Sequence, residues 1–489
     1  MRKIERALLI FPPVTFSPQS MKQCQVPLGV AYLAAVLRDA CAVQVLDAAV
    51  EGYHHEERTG QGYLRYGLSF AEIEKRIAEY QPDLVGVSCI FSSQFQNVLE
   101  VCQAAKRVNR EILTITGGSH PTFLAESSLA HPELDLVARG EGEFTLRELV
   151  TASQQGRGPE GIAGLAYRQN GRIVLAPDRL PAQLDEIPFP ARELFPLEKY
   201  FAISLPMGIV YKRKPFMNLI TSRGCPYRCT FCSSTNFWGN VYRTRSTENV
   251  LEEMEYLVSK LGIREFKFFD DNLTANKARA KEIFQGMIAR QFNVTWNTPN
   301  GIHVKHLDDE LLDLMKASGC YELTLAVESG DPDVLRYIIR KPTRLPEVEE
   351  AAKRIRRKGL GSYGFFIIGF PGETREQIQR TLDFSRKLDL DRISCFIANP
   401  LPGTEMYRIC KEKGYIQDDY SFEAIDYFEG RLETPEWSRE ELHRLRRGWF
   451  WRYNLSLLVR HPVRFFSRYL PFLARPGLLL DIIRRRLRG

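Results

Sequence analysis

At 489 residues, with 44% hydrophobic and 26% charged side chains, the chain is too long for one ordinary domain and has the composition of a folded soluble protein. No apolar stretch is long enough to cross a bilayer and residues 1–13 lack a signal peptide's apolar run and cleavage site, so a cytoplasmic protein is expected. Its formal charge of +7 sits in the tail, where residues 439–489 hold thirteen Arg against three acidic residues and leave the preceding 438 at −3; no nucleic-acid partner is expected of a body without a basic stripe.

The first 150 residues alternate between short apolar runs and amphipathic stretches. Strands are expected at 7–11, 43–47, 84–88, 112–116 and 134–138, and helices at 28–38, 70–80, 94–108 and 143–150. Short buried strands with helical crossovers imply an α/β fold, here a doubly wound parallel sheet over 1–150. Ligands of such sheets bind at the carboxyl ends of the strands, which here carry Pro13, Ser88, the pair Gly117 and Gly118, and Gly140 to Glu143. Residues 151–214 are rich in Gly, Pro and Gln, with short strand candidates at 165–168 and 172–175, and read as a linker wrapping the surface. A second alternation follows over 215–420, with strands at 216–221, 265–269, 294–298, 322–327, 364–368 and 392–397 separated by long amphipathic helices. Six units in so short a span suit a partial parallel (β/α)6 barrel, followed by a basic, aromatic helical region at 421–489.

The ten cysteines are dispersed except for one tight group, which argues against a disulfide framework and for a reducing compartment. That group, Cys225, Cys229 and Cys232, follows directly on a buried strand, at spacings of four and three, in a loop that lets three thiolates converge. An iron–sulfur cubane takes one thiolate per iron, so three cysteines leave one iron with an open site. Zinc competes, but a structural zinc site wants a fourth Cys or a nearby His, and the next histidine is His303.

This pattern of Cys, three residues, Cys, two residues with Phe231 as the aromatic, and Cys resembles the radical SAM superfamily. The resemblance implies a [4Fe-4S] cluster whose open iron chelates S-adenosylmethionine (SAM), and reductive cleavage to a 5′-deoxyadenosyl radical, with an electron donor such as flavodoxin or ferredoxin. It also implies SAM contacts at Phe231, at Asp270 and Asp271 after the second barrel strand, Asn300 after the third, Glu328 and Ser329 after the fourth, Gly369 after the fifth and Pro402 after the sixth. Solvated loop carboxylates read equally well at Asp270 and Asp271.

The motif order of the first 150 residues resembles the cobalamin-binding domain fused to many radical SAM proteins. It implies cobalamin contacts at Pro13, Ser88, Gly117, Gly118, His120, Gly140, Glu141 and Glu143. Paired glycines at a strand end let a backbone approach a large ring, or simply make a tight turn. No histidine stands in the Asp-x-His-x-x-Gly frame that supplies a lower cobalt ligand, so either the cobalt has no protein histidine below it or the domain binds no cobalamin. Together the two resemblances imply a cobalamin-dependent methyltransferase acting on an unactivated carbon of a small-molecule or lipid-like substrate. Cyclisation or rearrangement without methyl transfer, and a non-catalytic SAM or iron–sulfur sensor, are the alternatives.

In the tail, Trp449, Phe450, Trp451, Phe465, Phe466, Tyr469 and Phe472 are interleaved with arginines, and prolines 462, 471 and 476 should break the stretch into short helices. Aromatic and arginine side chains together suit an anionic lipid surface and a peripheral position at the inner membrane face. The competing expectation is a cap packed back on the barrel.

Overall fold

The computed structural model describes residues 1–467 other than 61, 209, 240, 418, 419, 423, 424, 426 and 429, together with residue 480. Tyr469, Phe472 and prolines 471 and 476 thus lie outside the described residues.

The first sheet is built on Arg6–Phe11, whose run Ala7 to Ile10 is wholly buried because helices cover both faces. Ala7 and Leu9 point to the core that holds helices Leu28–Leu37 and Glu143–Gln154, while Leu8 and Ile10 point to that of Phe70–Tyr80 and Phe95–Val108. Across the sheet the strands run Leu136–Ala138, Leu113–Gly117, Leu84–Ser88, Arg6–Phe11, Ala42–Asp47, each pair parallel. The five expected strands are all present.

The stretch expected as a linker is in part sheet. Leu165–Gln169 and Arg172–Leu175 form a hairpin that pairs antiparallel with Leu136–Ala138 and completes a seven-stranded sheet. The physical reason is the edge: a three-residue strand would otherwise leave its backbone groups unpaired, and Leu165, Ala166 and Tyr167 are buried there. Beyond the hairpin the chain ties the two halves together. Arg192 reaches Glu253 at 2.5 Å and Asn218 O at 3.0 Å, and the Tyr200 hydroxyl donates to Asp47. A three-stranded antiparallel sheet of Val14–Phe16, Glu56–Arg58 and Leu64–Tyr66 was not expected, since strands of three residues carry no readable alternation.

The second sheet runs Phe216–Leu219, Glu265–Phe268, Thr295–Asn297, Cys320–Glu328, Gly361–Ile368, Arg392–Ile397, in chain order and parallel throughout. Among the described residues its first and last strands do not pair, which leaves the partial barrel expected. Its core is continuous with the Ala7 and Leu9 face of the first sheet.

The tail divides the two expectations for it. Arg439–Arg460 is one 22-residue helix, and a short helix starts only at Pro462. Leu442, Trp449, Tyr453 and Leu457 are buried on the barrel, with Trp449 Nε1 donating to Ser385 Oγ at 2.8 Å. Trp449 therefore belongs to a cap. Trp451, Leu455, Val459, Val463 and Phe466 on the outer side stay exposed. Among the described residues no helix is long and apolar enough to cross a membrane.

Candidate functional site

The cysteine loop leaves the first barrel strand through a turn only glycine can make. Gly224 has φ +87°, and a Cβ there would lie 2.2 Å from Val241 O. Its N–H donates to Asp271 Oδ2 at 3.2 Å. Further along, Thr230 fastens the loop to the barrel: its N–H donates to Ile339 O at 3.0 Å and its hydroxyl to Ile338 O at 2.8 Å. Tyr227 stacks on His303 with ring centroids 4.4 Å apart.

Burial pushes the thiols up, to about 11 at Cys229 and about 12 at Cys232, and Cys225 also lies above its ordinary value. Cys225 raises Cys229, and both raise Cys232, whereas the Lys341 ammonium pulls Cys225 and Cys229 down. Backbone N–H groups of Tyr227 and Ser234 and the Asn272 side chain also favour the thiolates. Among the described residues no three His, Cys, Asp or Glu side chains converge to cage a single metal ion. A cubane asks for something else, one thiolate at each of three separate irons, with donors and a cation around an anionic core. Three neighbouring thiols with two N–H donors, an amide and a lysine fit that group.

The expected SAM contacts divide. Phe231 packs on Phe370, next to Gly369, with centroids 5.6 Å apart. Gly369 has φ +84°, donates to Glu373 Oε2 at 2.7 Å and lies under Leu442 of the capping helix. Glu328 is buried and pairs with Lys341 Nζ at 2.8 Å. Asp271 is exposed beside the cysteine loop, and exposed Asn300 donates to Phe269 O at 2.7 Å. Asp270, in contrast, accepts from Thr221 N at 3.1 Å, Thr221 Oγ1 at 2.7 Å and Ser222 Oγ at 2.5 Å. Burial raises its pKa and those hydrogen bonds oppose the rise, so this carboxyl serves the strand end that launches the loop. Ser329 Oγ is turned to Thr381 Oγ1 at 2.8 Å.

On the first sheet, Ser88 and Gly117 are paired in register at the carboxyl edge. Gly118, at φ +119°, would bring a Cβ to 2.4 Å from Cys89 O, so its first duty is the turn. Gly140, at φ +68°, has open space where a side chain would stand. Pro13 is buried, its carbonyl held by Asn97 Nδ2 at 2.9 Å. His120 is buried against Phe95, its Nδ1 has no partner among the described residues, and burial lowers its pKa to about 4.

Glu141 and Glu143 are placed elsewhere than a ligand edge alone requires. Arg223, two residues before Cys225, donates to Glu143 at 2.5 Å and to Glu141 at 3.1 Å, and Arg243 also pairs with Glu141. These buried pairs join the last parallel strand end of the first sheet to the root of the cysteine loop. No spacing in the sequence links residues eighty apart; a basic residue just before the first cysteine was the only signal.

Between the carboxyl edge of the first sheet and the barrel mouth lies a cavity of about 400 Å³. Phe11, Ile90, Phe91 and Ser119 face it from the sheet, Ser233 and Pro402 from the barrel, and Tyr427 and Phe428 from the segment before the tail helix. Its polar lining is mostly hydroxyls and amides such as Ser20, Ser92, Gln25 and Gln94, with Asp47 the one carboxylate among the described lining residues. Uncharged donors and acceptors fit a broad ring fringed with neutral amides, as a corrin is. Ser233, beside Cys232, opens the same space to the cluster loop.

Comparison with known proteins agrees with this arrangement. A family profile for the Radical SAM superfamily matches residues 219–385, and one for the B12 binding domain matches 19–150. The chain is 34% identical over 476 residues to a cytidylyl-2-hydroxyethylphosphonate methyltransferase of Streptomyces wedmorensis, covering 91% of this chain and 89% of that one. It is 29% identical to an anaerobic magnesium-protoporphyrin IX monomethyl ester cyclase of Rubrivivax gelatinosus, over 77% of this chain and 66% of that one. The fold is shared with the radical SAM methyltransferase TsrM of Kitasatospora setae, solved with cobalamin and a [4Fe-4S] cluster, at a TM-score of 0.67 and 20% identity over 85% of this chain and 79% of that one.

Proposed function

Because the chain belongs to the radical SAM superfamily, in the branch that carries a B12 binding domain, we propose that it transfers a methyl group to an unactivated carbon of a neutral small-molecule or lipid-like substrate. One observation carries this reading: the cavity of about 400 Å³ is bordered at once by the cobalamin-side strand ends, by Ser233 next to the cluster cysteines and by Pro402 after the sixth barrel strand. When bound, the cluster with SAM supplies a carbon-centred radical and the cobalamin supplies a transferable methyl group.

Cys225, Cys229 and Cys232 hold the cluster, with the thiolates favoured by Lys341 and the loop N–H groups. Glu328, Asp271 and Asn300 stand at the barrel mouth where the family meets SAM, and Phe231 with Gly369 shapes the side below. The edge formed by Ser88, Gly117, Gly118, His120 and Gly140 backs the corrin. Phe11, Phe91, Tyr427 and Phe428 exclude water, which protects a radical from side reactions. Asp47 accepts from Val50 N at 3.0 Å and from the Tyr200 hydroxyl, so its carboxyl is engaged within the protein and an otherwise aromatic, uncharged lining selects a neutral substrate. Methyl transfer is preferred to cyclisation because the methyltransferase match is both more identical and more complete than the cyclase match. The electron comes from a small redox protein of the flavodoxin or ferredoxin kind.

Anaerobic turnover of the reconstituted protein, with SAM carrying a labelled methyl group, tests the reading against extracted neutral metabolites and lipids. Formation of 5′-deoxyadenosine together with a labelled product is expected; 5′-deoxyadenosine with only unlabelled, cyclised product overturns it.

We further infer a peripheral contact with anionic lipid on the cytoplasmic side. Trp451, Leu455, Val459, Val463 and Phe466 form an exposed apolar stripe with exposed Arg452 and Arg460 beside it. Trp451→Ser with Val459→Ser spares the buried face of the helix and should lower sedimentation with phosphatidylglycerol vesicles severalfold. An intact protein that ignores such vesicles at low salt removes the membrane contact and leaves the enzyme reading in place.

A further inference from the structure

Four departures from regular geometry cluster at and just after the end of the fourth barrel strand. The register of Cys320–Glu328 against the next strand shifts between Ala326 and Glu328, and Glu328 adopts φ +68°. Val334–Ile339 is then a π-helix, and it ends on Arg340 at φ +60°. Left-handed non-glycine residues and π turns persist only where the surroundings enforce them.

What these distortions achieve is one buried ion pair. Lys341 Nζ donates to Glu328 Oε1 at 2.8 Å and to Ala326 O, and the two side chains are 6% and 9% exposed. The residues on either side of Lys341 grip the cysteine loop. Ile339 O holds Thr230 N, while Thr343 Oγ1 meets His303 Nε2 at 3.1 Å and the His303 ring stacks on Tyr227. A buried ion pair is a poor source of stability, because desolvation offsets most of the attraction. Fold stability by itself thus gives no reason to place a cation here.

We propose that Lys341 is a positioning residue for the cluster, a fixed counter-charge that favours its reduced state, with Glu328 and Ala326 O holding the ammonium in place. Reduction takes one electron from an external donor and adds one negative charge to the cluster, with no proton or bond exchanged. A cation sealed from solvent and salt stabilises that added charge far more than an exposed one. The proposal rests on the cluster and not on methyl transfer.

The test uses the full-length reconstituted protein without SAM, in a mediated titration with dithionite read by electron paramagnetic resonance. At the potential where the wild type is half reduced, Lys341→Met should lower the ratio of reduced to oxidised cluster roughly tenfold, and Lys341→Arg should restore most of it. A double variant, Lys341→Met with Glu328→Gln, buries no unpaired charge and should still lie below Glu328→Gln alone. A double variant that folds by circular dichroism but loses iron that Glu328→Gln retains supports the same role. If the double variant holds its iron and matches Glu328→Gln, Lys341 is only structural and the proposal falls. If the wild type itself holds no iron–sulfur cluster, the cluster assignment fails instead.

Discussion

The barrel mouth and the carboxyl edge of the first sheet face one cavity, yet they are built on opposite electrostatic plans. On the barrel side, buried charges are each held by opposite charges: Lys341 with Glu328, Arg223 with Glu141 and Glu143, Arg245 and Arg192 with Glu253. Along the sheet edge, the groups toward the cavity are apolar side chains, hydroxyls and amides, with Asp47 the one carboxylate among the described lining residues, while the nearby glycines and the neutral His120 carry no charge either. The difference teaches what each half must hold. A redox cluster changes charge and needs fixed counter-charges, whereas a broad neutral ring needs close backbone approach and uncharged hydrogen bonds.

The sharpest way to break the comparison is at the cysteines. Cys225→Ala, Cys229→Ala or Cys232→Ala should each abolish cluster assembly, while Cys320→Ala and Cys395→Ala, both buried away from the loop, should leave it intact. Iron content and visible absorption after anaerobic reconstitution decide it; a cluster surviving loss of all three would refute the charged half of the contrast.

Next is Arg223→Met, which strips Glu143 of its cation and leaves Glu141 to Arg243 alone. Losing one partner of a buried pair costs about 3–5 kcal/mol, so the urea midpoint should drop clearly. Cluster loading should suffer with it, since Arg223 roots the loop. A midpoint within error of the wild type would show that the two halves are not joined there.

On the neutral side, His120 sets a pH dependence. Its folded pKa, about 4, lies below the ordinary 6.5, so the unfolded chain binds the proton first as pH falls. Stability attached to this neutral ring is complete above pH 6.5 and is lost towards pH 4, by roughly 3 kcal/mol. The wild type should therefore lose stability over that window relative to His120→Gln, and parallel curves would mean that the ring is not buried neutral.

Gly118→Ala forces a Cβ against Cys89 O at a positive φ and should cost about 1–3 kcal/mol, with cobalamin uptake reduced while the cluster still forms. Gly140→Ala is the smallest change. Open space surrounds its Cβ position, so the penalty is that of φ +68°, about 1 kcal/mol. Loss of corrin absorbance out of proportion to that penalty would identify Gly140 as a point of ligand approach.

The sequence by itself determined the elements whose physics is local. Five parallel strands of the first sheet and six of the barrel were legible because most are short, largely apolar runs between helical periods, as strands buried on both faces tend to be. The cysteine loop was legible because its three cysteines lie within eight residues. Tertiary structure decided the rest, where the partners are distant in the chain. It turned part of the expected linker into an antiparallel sheet edge, drew Glu141 and Glu143 to Arg223, gave Trp449 to the cap and Trp451 to solvent, and set Lys341 beside Glu328 through a bulge and a π-helix. Side-chain periodicity records which face of an element is buried, but it carries no record of which distant charge will be waiting there.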